Sequence, residues 1–477
     1  MSTFDYDDFS SESNPVNMDE TVRRYRDAIR NTTHNTGNQE YINVETLEQL
    51  TQYCLDNSRF EDALVFATTW SERAGYTADA WHKKGIALSY LLRYKDALEC
   101  YNRALDFNQS DADVLINRAV ALDQCGFVEE AVASFDKAME LEPGNEDAIF
   151  NKGILCERRG WYEEAIRLFE YLANSERYSK DSLFELGFCY DCRHRYDDAI
   201  KAYEQCIDVD PYDHNAWFNR AVVLCRKGKY NEAISSYDMV LAIKDDFASA
   251  WYNRGNTLAL IGKLIEAIES YKEALRIDAS DVSTWHNLAS AFEESGQFTM
   301  AIDAFTKALA LNPKHYESYF GRGTCHDALQ QYNLALDDYN AALKLNGSYS
   351  DLWYAKADVL YNIGRVGESL ECYQTALELK PEDEECWFDF GSTLMETGKL
   401  LDAIHTFTKA TELKPTWAEP YYAMAKCNAL LGDMQSAASN IRTAWLHDDS
   451  KRHSFEEDFS QLLSSRRMET LHALLKH

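Results

Sequence analysis

Residues 248–281 read ASAWYNRGNTLALIGKLIEAIESYKEALRIDASD, and the residues directly before them, 214–247, read HNAWFNRAVVLCRKGKYNEAISSYDMVLAIKDDF. Both stretches are 34 residues long and share Trp at position 4, Asn at position 6 and Ala at position 20. Stepping by 34 residues in both directions gives eleven consecutive units over residues 78–451 without insertion or deletion. Self-similarity at a fixed period of this length indicates a repeat architecture.

The shared positions indicate two packed helices in each unit. Position 8 is Gly or Ala throughout, position 20 is Ala except at Ser369, and position 24 is aromatic except at Ile441. Within each half of a unit the apolar residues recur at helical spacings. Eight units carry Gly at position 15, where glycine suits the left-handed conformation that ends a first helix. Five of the seven prolines stand at position 32, where they stop the second helix.

This pattern resembles the tetratricopeptide repeat family. The resemblance implies an all-α fold, a right-handed superhelical solenoid of antiparallel helix pairs whose concave groove is lined by the first helices. One helix pair cannot bury its own apolar face, so neighbouring units stack into a continuous core. Residues 44–77 are expected to form a degenerate twelfth unit, because Leu47, Ala63 and Ala67 are in register while position 8 is Thr51.

The two ends depart from the repeat. Residues 1–43 are expected to be an acidic, disordered N-terminus with a short leading helix over 18–30. Residues 452–477 contain apolar residues at helical spacing and predict helices that cap the last unit, since terminal repeats need a polar outer face. Arg466, Arg467 and Lys476 give this tail a basic face, so docking of a partner stays open as the alternative.

Composition excludes several classes of function. The net charge of −31 disfavours nucleic acid, which needs clustered Lys and Arg, and also disfavours an anionic membrane surface. A protein partner with basic segments fits this charge. The chain shows no apolar run of about 18 residues and no signal-peptide pattern. A cytoplasmic location with twelve free, packed cysteines is therefore expected.

Motifs for catalysis are missing from the sequence. It has no Gly-rich phosphate loop, no HExxH and no GxSxG. Cys189 and Cys192 form a CxxC without a second ligand pair at zinc-site spacing, which favours packed thiols, with a metal or redox role as alternatives. We therefore expect no enzyme activity, no cofactor and no metal site.

The resemblance places positions 2, 5, 6, 9, 12 and 13 on the concave side. These positions hold eighteen acidic and four basic residues, so the groove is expected to favour basic ligands. Position 5 is mostly aromatic, and Asn recurs at position 6, where a carboxamide can pair with any peptide backbone. This ladder resembles the one in O-linked N-acetylglucosamine transferases, which grip extended peptides. The residues predicted to bind peptide are Asn117, Asn151, Asn219, Asn253, Asn256, Asn287, Phe218, Tyr252, Phe320, Tyr354 and Phe388. Inherited consensus, without a binding role, explains the same residues.

Cations at position 7 are expected to form ion pairs inside their own repeat. Each expected carboxylate partner lies eighteen residues further on, on the second helix. The expected pairs are Arg118 with Asp136, Lys152 with Glu170, and Arg220 with Asp238.

The sequence as a whole predicts a scaffold or adaptor that holds other proteins, with basic or extended segments bound in an acidic groove. The alternative is an accessory subunit that recruits substrates for an enzyme carried on another chain. The oligomeric state is left open by the sequence.

Overall fold

The computed structural model describes residues 15–32, 42–74 and 76–476, and every regular element in these ranges is an α-helix. The even-numbered helices α2 to α24 are the first helices of the repeats, and the odd-numbered helices α3 to α25 are the second helices. In chain order the helices are α1 (Pro15–Thr32), α2 (Val44–Asp56), α3 (Phe60–Arg73), α4 (Ala78–Tyr90), α5 (Tyr94–Phe107), α6 (Ala112–Gln124), α7 (Val128–Leu141), α8 (Glu146–Arg158), α9 (Tyr162–Leu172), α10 (Ser179–Cys192), α11 (Tyr196–Val209), α12 (His214–Arg226), α13 (Tyr230–Ile243), α14 (Ala248–Leu260), α15 (Leu264–Ile277), α16 (Val282–Glu294), α17 (Phe298–Leu311), α18 (Tyr316–Ala328), α19 (Tyr332–Leu345), α20 (Ser350–Asn362), α21 (Val366–Leu379), α22 (Glu384–Glu396), α23 (Leu400–Leu413), α24 (Ala418–Leu431), α25 (Met434–His447), α26 (Lys451–Leu462) and α27 (Ser465–Leu475).

The chain forms two compact units, Met1–Lys229 and Tyr230–His477. Inside each unit a first helix packs against the second helix of its own repeat and against the second helix of the repeat before. In the N-terminal unit α10 lies between α9 and α11, and in the C-terminal unit α16 lies between α15 and α17. First helices of consecutive repeats also touch, as α16 and α18 do. The predicted all-α stack of helix pairs is confirmed in both units.

The aromatic residue at position 24 packs directly on the backbone at position 8. Tyr271 is 2% exposed, and a Cβ atom added to Gly255 would lie 2.6 Å from its ring. Only a small residue therefore fits at position 8. The same approach occurs between Gly85 and Tyr101, Gly153 and Phe169, Gly187 and Tyr203, Gly323 and Tyr339, and Gly391 and Phe407.

Position 15 has a left-handed backbone whether or not it is glycine. Gly126 has a φ of 85°, and the seven other glycines at this position also have positive φ. Four repeats place another residue in the same conformation, with φ values of 57° to 59°. These residues are Ser58, Leu92, His194 and Gln330. The turn geometry is therefore set by the packing of the two helices that it joins.

The predicted pairing of Lys152 with Glu170 was wrong, although Lys152 does form an ion pair inside its own repeat, with Glu164 at 3.2 Å. Lys152 donates to Asp136 of the preceding repeat at 2.7 Å, and Glu170 instead accepts from Tyr190. The reason is that position 7 of a first helix lies between two second helices, so Lys152 reaches Asp136 on α7, sixteen residues earlier, as well as Glu164 on α9. The same register joins Arg118 to Asn102, Arg220 to Glu204 and Arg254 to Asp238, whereas Arg322 bonds Asp338 of its own repeat. The bonds of Arg118, Arg220 and Arg254 to these residues connect consecutive repeats.

Helix α1 is longer than the leading helix predicted over 18–30. It begins at Pro15, so residues 15–17, expected to be disordered, are helical. Proline at the start of a helix is favourable because its fixed φ suits the first turn and its missing N–H is not needed there. Val22 is fully buried against the first helix pair. The disorder predicted for residues 1–14 and for residues 33–41 lies outside the described residues.

Helices α26 and α27 follow the last repeat. Phe459 and Leu471 are fully buried in a cluster with residues of α25, and α27 packs against α25. The apolar sides of both helices thus cover the final helix pair. None of the helices in the described ranges combines the length and apolarity that crossing a membrane requires.

Candidate functional site

We call the surface formed by positions 2, 5, 6, 9, 12 and 13 of the first helices the first-helix face. All eleven residues predicted to bind peptide lie on first helices and are partly exposed. The six asparagines among them fall into two groups according to the hydrogen bonds of their side chains. These bonds decide which asparagines are available to a ligand.

One group of amides connects consecutive repeats. Asn287 of α16 donates to the hydroxyl of Tyr252 at 3.1 Å and to the carboxamide oxygen of Asn256 at 2.8 Å, both on α14. Asn256 also accepts from the hydroxyl of Tyr271 at 2.8 Å. Asn117 contacts the ring nitrogen of His82 at 2.9 Å in the same register. Asn117, Asn256 and Asn287 are the locked amides.

A second group of amides makes no side-chain hydrogen bond to a neighbouring repeat within the described ranges. Asn151 and Asn253 donate only to backbone carbonyls one turn earlier in their own helices, those of Asp147 and Ser249. Asn219 makes no side-chain hydrogen bond within the described part of the chain. For Asn151, position 5 of the repeat before is Ile116, an apolar residue that offers no hydroxyl to bond. Asn151, Asn219 and Asn253 are the open amides.

Aromatic residues at position 34, which sequence reasoning missed, extend the aromatic row at position 5. Tyr349 meets Phe320 edge-on with ring centroids 5.8 Å apart, and Trp417 lies 4.9 Å from Phe388. Both are N-cap residues that make no side-chain cap bond. The sequence does distinguish these two residues, because they place an aromatic at position 34, where several other repeats have the helix-capping residues Asp or Asn.

Three of the four basic residues of the first-helix face, Arg158, Arg226 and Lys426, are already paired with carboxylates. Asp123 accepts from Arg159 at 2.7 Å and from Arg158 at 3.4 Å, and Asp191 accepts from Arg226. These carboxylates stand at position 12 of one repeat, and the cations follow about 35 residues later. Lys426 is paired in a similar way with Asp458 of α26, at 3.3 Å. The positive charges of this face are therefore largely neutralised.

Glu157 and Glu185 face each other on α8 and α10 and share a hydrogen bond. Burial, and then the charge of Glu157, raises the pKa of Glu185 to about 8. Burial also raises the pKa of Glu157, while the bond to Glu185 opposes that rise. Two carboxyl groups this close together disfavour each other's negative charge, so the pair resists full ionisation.

Four carboxylates of the C-terminal unit, which we call the carboxylate row, have no cationic partner among the described residues. They are Glu293, Asp327, Asp358 and Asp389, one on each of the helices α16, α18, α20 and α22. Among the described residues no Lys or Arg forms an ion pair with any of them. The hydroxyl of Tyr373 donates to Asp358, and that of Tyr354 donates to Asp389 at 2.6 Å.

Burial changes the acidity of this row. It raises the pKa of Glu293 to about 7 and also raises the pKa of Asp327. The pKa of Asp358 rises to about 6 through burial and the charges of Asp389 and Asp327, although the bond from Tyr373 opposes the rise. Burial raises the pKa of Asp389 as well. These ionised carboxylates are poorly solvated, so a cation placed beside them would be favoured.

Cysteines provide no assembled metal site within the described ranges. Cys189 is fully buried, and burial raises its thiol pKa far above the ordinary value. Cys192 is partly exposed, and all twelve cysteines are free thiols. No group of three His, Cys, Asp or Glu residues in the described part of the chain is placed to hold a metal ion.

Sequence models described as the tetratricopeptide repeat match much of the chain. The matched residues are 78–111, 112–145, 181–213, 202–235, 223–262, 246–314, 286–350, 350–383 and 384–416. The chain belongs to the tetratricopeptide repeat family. A comparison with curated proteins found no match.

Several solved structures of TPR proteins are similar to this chain. YrrB, a TPR protein with an unusual peptide-binding site, is 24% identical over 40% of this chain and 98% of its own, with a TM-score of 0.37. The C-terminal part of a TPR protein from Cytophaga hutchinsonii is 20% identical over 50% of this chain and 97% of its own, with a TM-score of 0.45. The APC/C hetero-tetramer Cut9–Hcn1 is 16% identical over 96% of this chain and 94% of the matched chain, with a TM-score of 0.40.

Proposed function

We propose that this TPR protein is a non-catalytic scaffold that binds extended, basic polypeptide segments along its first-helix face. The carboxylate row is the observation that carries this proposal. Its four residues on consecutive first helices are partly buried, and no Lys or Arg of the described residues forms an ion pair with them. Lys or Arg side chains of the partner supply the missing charges.

Burial makes each contact in the row stronger than an ordinary surface ion pair. Exposed pairs contribute about 0–1 kcal/mol because water screens both charges. A carboxylate held between helices has already lost part of its hydration, so it gains more when a cation arrives. The single sign of the row also accelerates the approach of basic partners. This arrangement favours positively charged segments over neutral ones.

The open amides give the same surface a contact that does not depend on side chains. The carboxamide oxygen of Asn253, on α14, receives no donor from the described residues and is available to a peptide N–H. We propose that the bound segment runs from Asn253 toward Asp389 within the C-terminal unit. Asn151 and Asn219 offer equivalent contacts in the N-terminal unit. The free thiols suit a reducing cytoplasm, which we propose as the location.

The test compares two variants with equal loss of charge. Asp358→Asn with Asp389→Asn removes two carboxylates of the row, whereas Asp337→Asn with Glu371→Gln removes two exposed carboxylates on second helices. Fluorescence anisotropy with a labelled twelve-residue Lys-Ser peptide measures affinity. We expect the first variant to bind at least about 10-fold more weakly, because desolvated charge pairs are lost, and the control to bind nearly as well as the original chain.

Equal weakening in both variants would overturn the proposal, because binding would then follow net charge rather than this site. A Glu-Ser peptide of the same length should not bind. If the chain co-purifies from cell extract with a catalytic subunit, the same face becomes a recruiting surface for that subunit's substrates.

A further inference from the structure

A cleft of about 500 Å³ opens beside the first turn of α14 in the C-terminal unit. One side of it carries the carboxylates of Asp278 and Asp281, which follow α15. Another side is formed by the methyl groups of Ala248 and Ala274 and by the ring of Tyr252. The cleft therefore joins negative charge to apolar surface, and neither carboxylate belongs to the carboxylate row.

Other repeats hold a lysine in the equivalent place, the space between positions 1, 2, 31 and 34 of one repeat, which we call the repeat corner. In the N-terminal unit, Lys180 at position 1 lies 2.6 Å from Asp210 at position 31 and 2.9 Å from Asp213 at position 34. Three repeats of the C-terminal unit also place an ammonium group in their repeat corner. The pairs there are Lys380 with Asp351 and Asp383, Lys414 with Glu384, and Lys451 with Glu419 and Asp448.

The repeat at residues 248–281 has the carboxylates of this corner without the lysine. Asp occupies both position 31 and position 34 only here and in the repeat at residues 180–213. Ala248 stands at position 1, where the other repeat has Lys180. No Lys or Arg of the described residues forms an ion pair with Asp278 or Asp281, and the cleft lies where a lysine at position 1 would extend.

Lys180 bonds the carboxylate oxygens that the local turn leaves over. Asp213 uses Oδ1 to cap α12, and Asp210 uses Oδ1 to accept from the backbone N–H of Tyr212. The Oδ2 atoms of both residues then accept from Lys180. The two aspartates thus serve the turn and the lysine at once.

Asp278 and Asp281 make the same turn bonds. Asp281 uses Oδ2 to cap α16 at 2.9 Å from the nitrogen of Thr284, and Asp278 uses Oδ1 to accept from the backbone N–H of Ser280, also at 2.9 Å. The other oxygen of each carboxylate receives no hydrogen bond from the described residues. Because an ammonium group has three donors, one lysine can serve both oxygens.

We propose that the repeat corner of residues 248–281 binds a lysine side chain of the partner polypeptide. The ammonium bonds Asp278 and Asp281 as Lys180 bonds its own two aspartates, and the aliphatic stem lies against Ala274 and Tyr252. Lysine fits better than arginine, because its compact head group is the cation that the chain itself places in all four occupied corners.

This inference rests on the proposed function, since the lysine belongs to the extended segment bound along the first-helix face. Ser249 lines the cleft, and its backbone carbonyl accepts from the open amide Asn253. The corner therefore adds a charged contact one helical turn before Asn253, at the end of the path that leads to Asp389.

The experiment supplies the missing lysine from the chain itself. Ala248→Lys places an ammonium beside Asp278 and Asp281, in the position that Lys180 has in its own repeat, so the variant should fold normally and exclude the partner's lysine. Ala133→Lys makes the same chemical change at an exposed residue of the second helix α7 and is the control. In fluorescence anisotropy with the labelled Lys-Ser peptide, we expect Ala248→Lys to weaken binding about 5-fold, the scale of a partly exposed charge pair, and the control to weaken it less than about 2-fold.

Removing the carboxylates tests the same corner from the other side. Asp278→Asn with Asp281→Asn keeps an oxygen for the turn and for the cap of α16, so the local structure should persist. This variant should bind about 5-fold more weakly, whereas Asp337→Asn with Glu371→Gln loses the same charge and should bind nearly as well as the original chain. Adding Ala248→Lys to the Asp278/Asp281 variant should weaken binding little further, because both changes remove one contact.

Equal binding by the Ala248→Lys and Ala133→Lys variants would overturn this inference. The proposed function would still stand in that case if Asp358→Asn with Asp389→Asn weakened binding. Fully additive losses from Ala248→Lys and the Asp278/Asp281 variant would also overturn the inference, because the two changes would then act at different places. A Lys-Ser peptide that does not bind the original chain would overturn both proposals.

Discussion

Leu92 shows how single residues in this array are constrained by backbone conformation. It stands in the left-handed region with a φ of 59°, where eight repeats have glycine. Its side chain is 73% exposed and contributes little packing. A side chain in this conformation costs roughly 1–2 kcal/mol, because Cβ crowds the following carbonyl oxygen.

We therefore expect Leu92→Gly to raise the free energy of unfolding by about 1 kcal/mol, which thermal unfolding followed by circular dichroism would detect. The paired control is Gly126→Ala in the next repeat, where φ is 85° and stability should fall by a similar amount. A lower melting temperature for Leu92→Gly would show that the exposed side chain has a packing role.

Gly255 is constrained by space rather than by backbone conformation. A methyl group there would lie 2.6 Å from the ring of Tyr271, which is itself buried, so neighbouring helices must move apart. Gly255→Ala is expected to lower the free energy of unfolding by about 1–3 kcal/mol, the usual range for overpacking.

Gly367, near the start of α21, has nothing within 4 Å of an added Cβ. Gly367→Ala should instead stabilise by about 0.5–1 kcal/mol, because alanine favours the helix. Equal effects of the two substitutions in urea titrations would refute this explanation of position 8.

At the scale of helices, the locked and open amides should behave differently. Asn287 joins α16 to two residues of α14, so Asn287→Ala removes bonds between repeats and should cost about 1–2 kcal/mol of unfolding free energy. Asn253 bonds only its own helix, and Asn253→Ala should change stability by less than about 0.5 kcal/mol. The same Asn253 variant should weaken binding of the Lys-Ser peptide. Comparable losses of stability in both variants would remove the basis for dividing the ladder.

Much of the helical architecture could be predicted because each residue of a repeat has the same neighbours eleven times. The period placed the helices and the turns at position 15 correctly. The ion pairs of position 7 could not be assigned in the same way. Lys152 has a carboxylate eighteen residues later, Glu170, and another sixteen residues earlier, Asp136. Spacing along the chain does not tell which carboxylates of two flanking second helices a side chain reaches, and in the fold Lys152 lies between Asp136 on α7 and Glu164 on α9.

At the scale of the whole molecule, composition predicted an acidic surface but not which of its carboxylates lack a cationic partner. Asp123 and Asp191 look like Asp358 in the sequence, yet cations of the next repeat neutralise the first two. Asp358 instead receives a hydroxyl from Tyr373, a residue that the repeat pattern assigns to the core. The difference depends on side chains about 35 residues apart and on burial. Neither is visible in a count of charges.

The same buried carboxyl groups should link stability and binding to pH in opposite directions. The pKa values of Glu185 and Glu293 are raised to about 8 and about 7 from an ordinary 4.5, so between these values the folded chain holds more protons than the unfolded chain. Stability must then fall as pH rises toward 8, while the affinity for a basic peptide rises as the carboxylate row ionises.

Melting temperatures should be measured between pH 6.5 and 8. Below that range the partly buried His286, with its pKa lowered to about 4 from 6.5, makes stability rise with pH instead. Melting temperatures across this window should decrease with pH, and Glu185→Gln with Glu293→Gln should flatten the trend. Glu129→Gln with Glu371→Gln, which changes two exposed residues, should leave the trend in place. A melting temperature that rises with pH in the original chain would mean that these carboxyl groups are hydrated in solution, and the carboxylate row would then gain no more from a cation than ordinary surface carboxylates do.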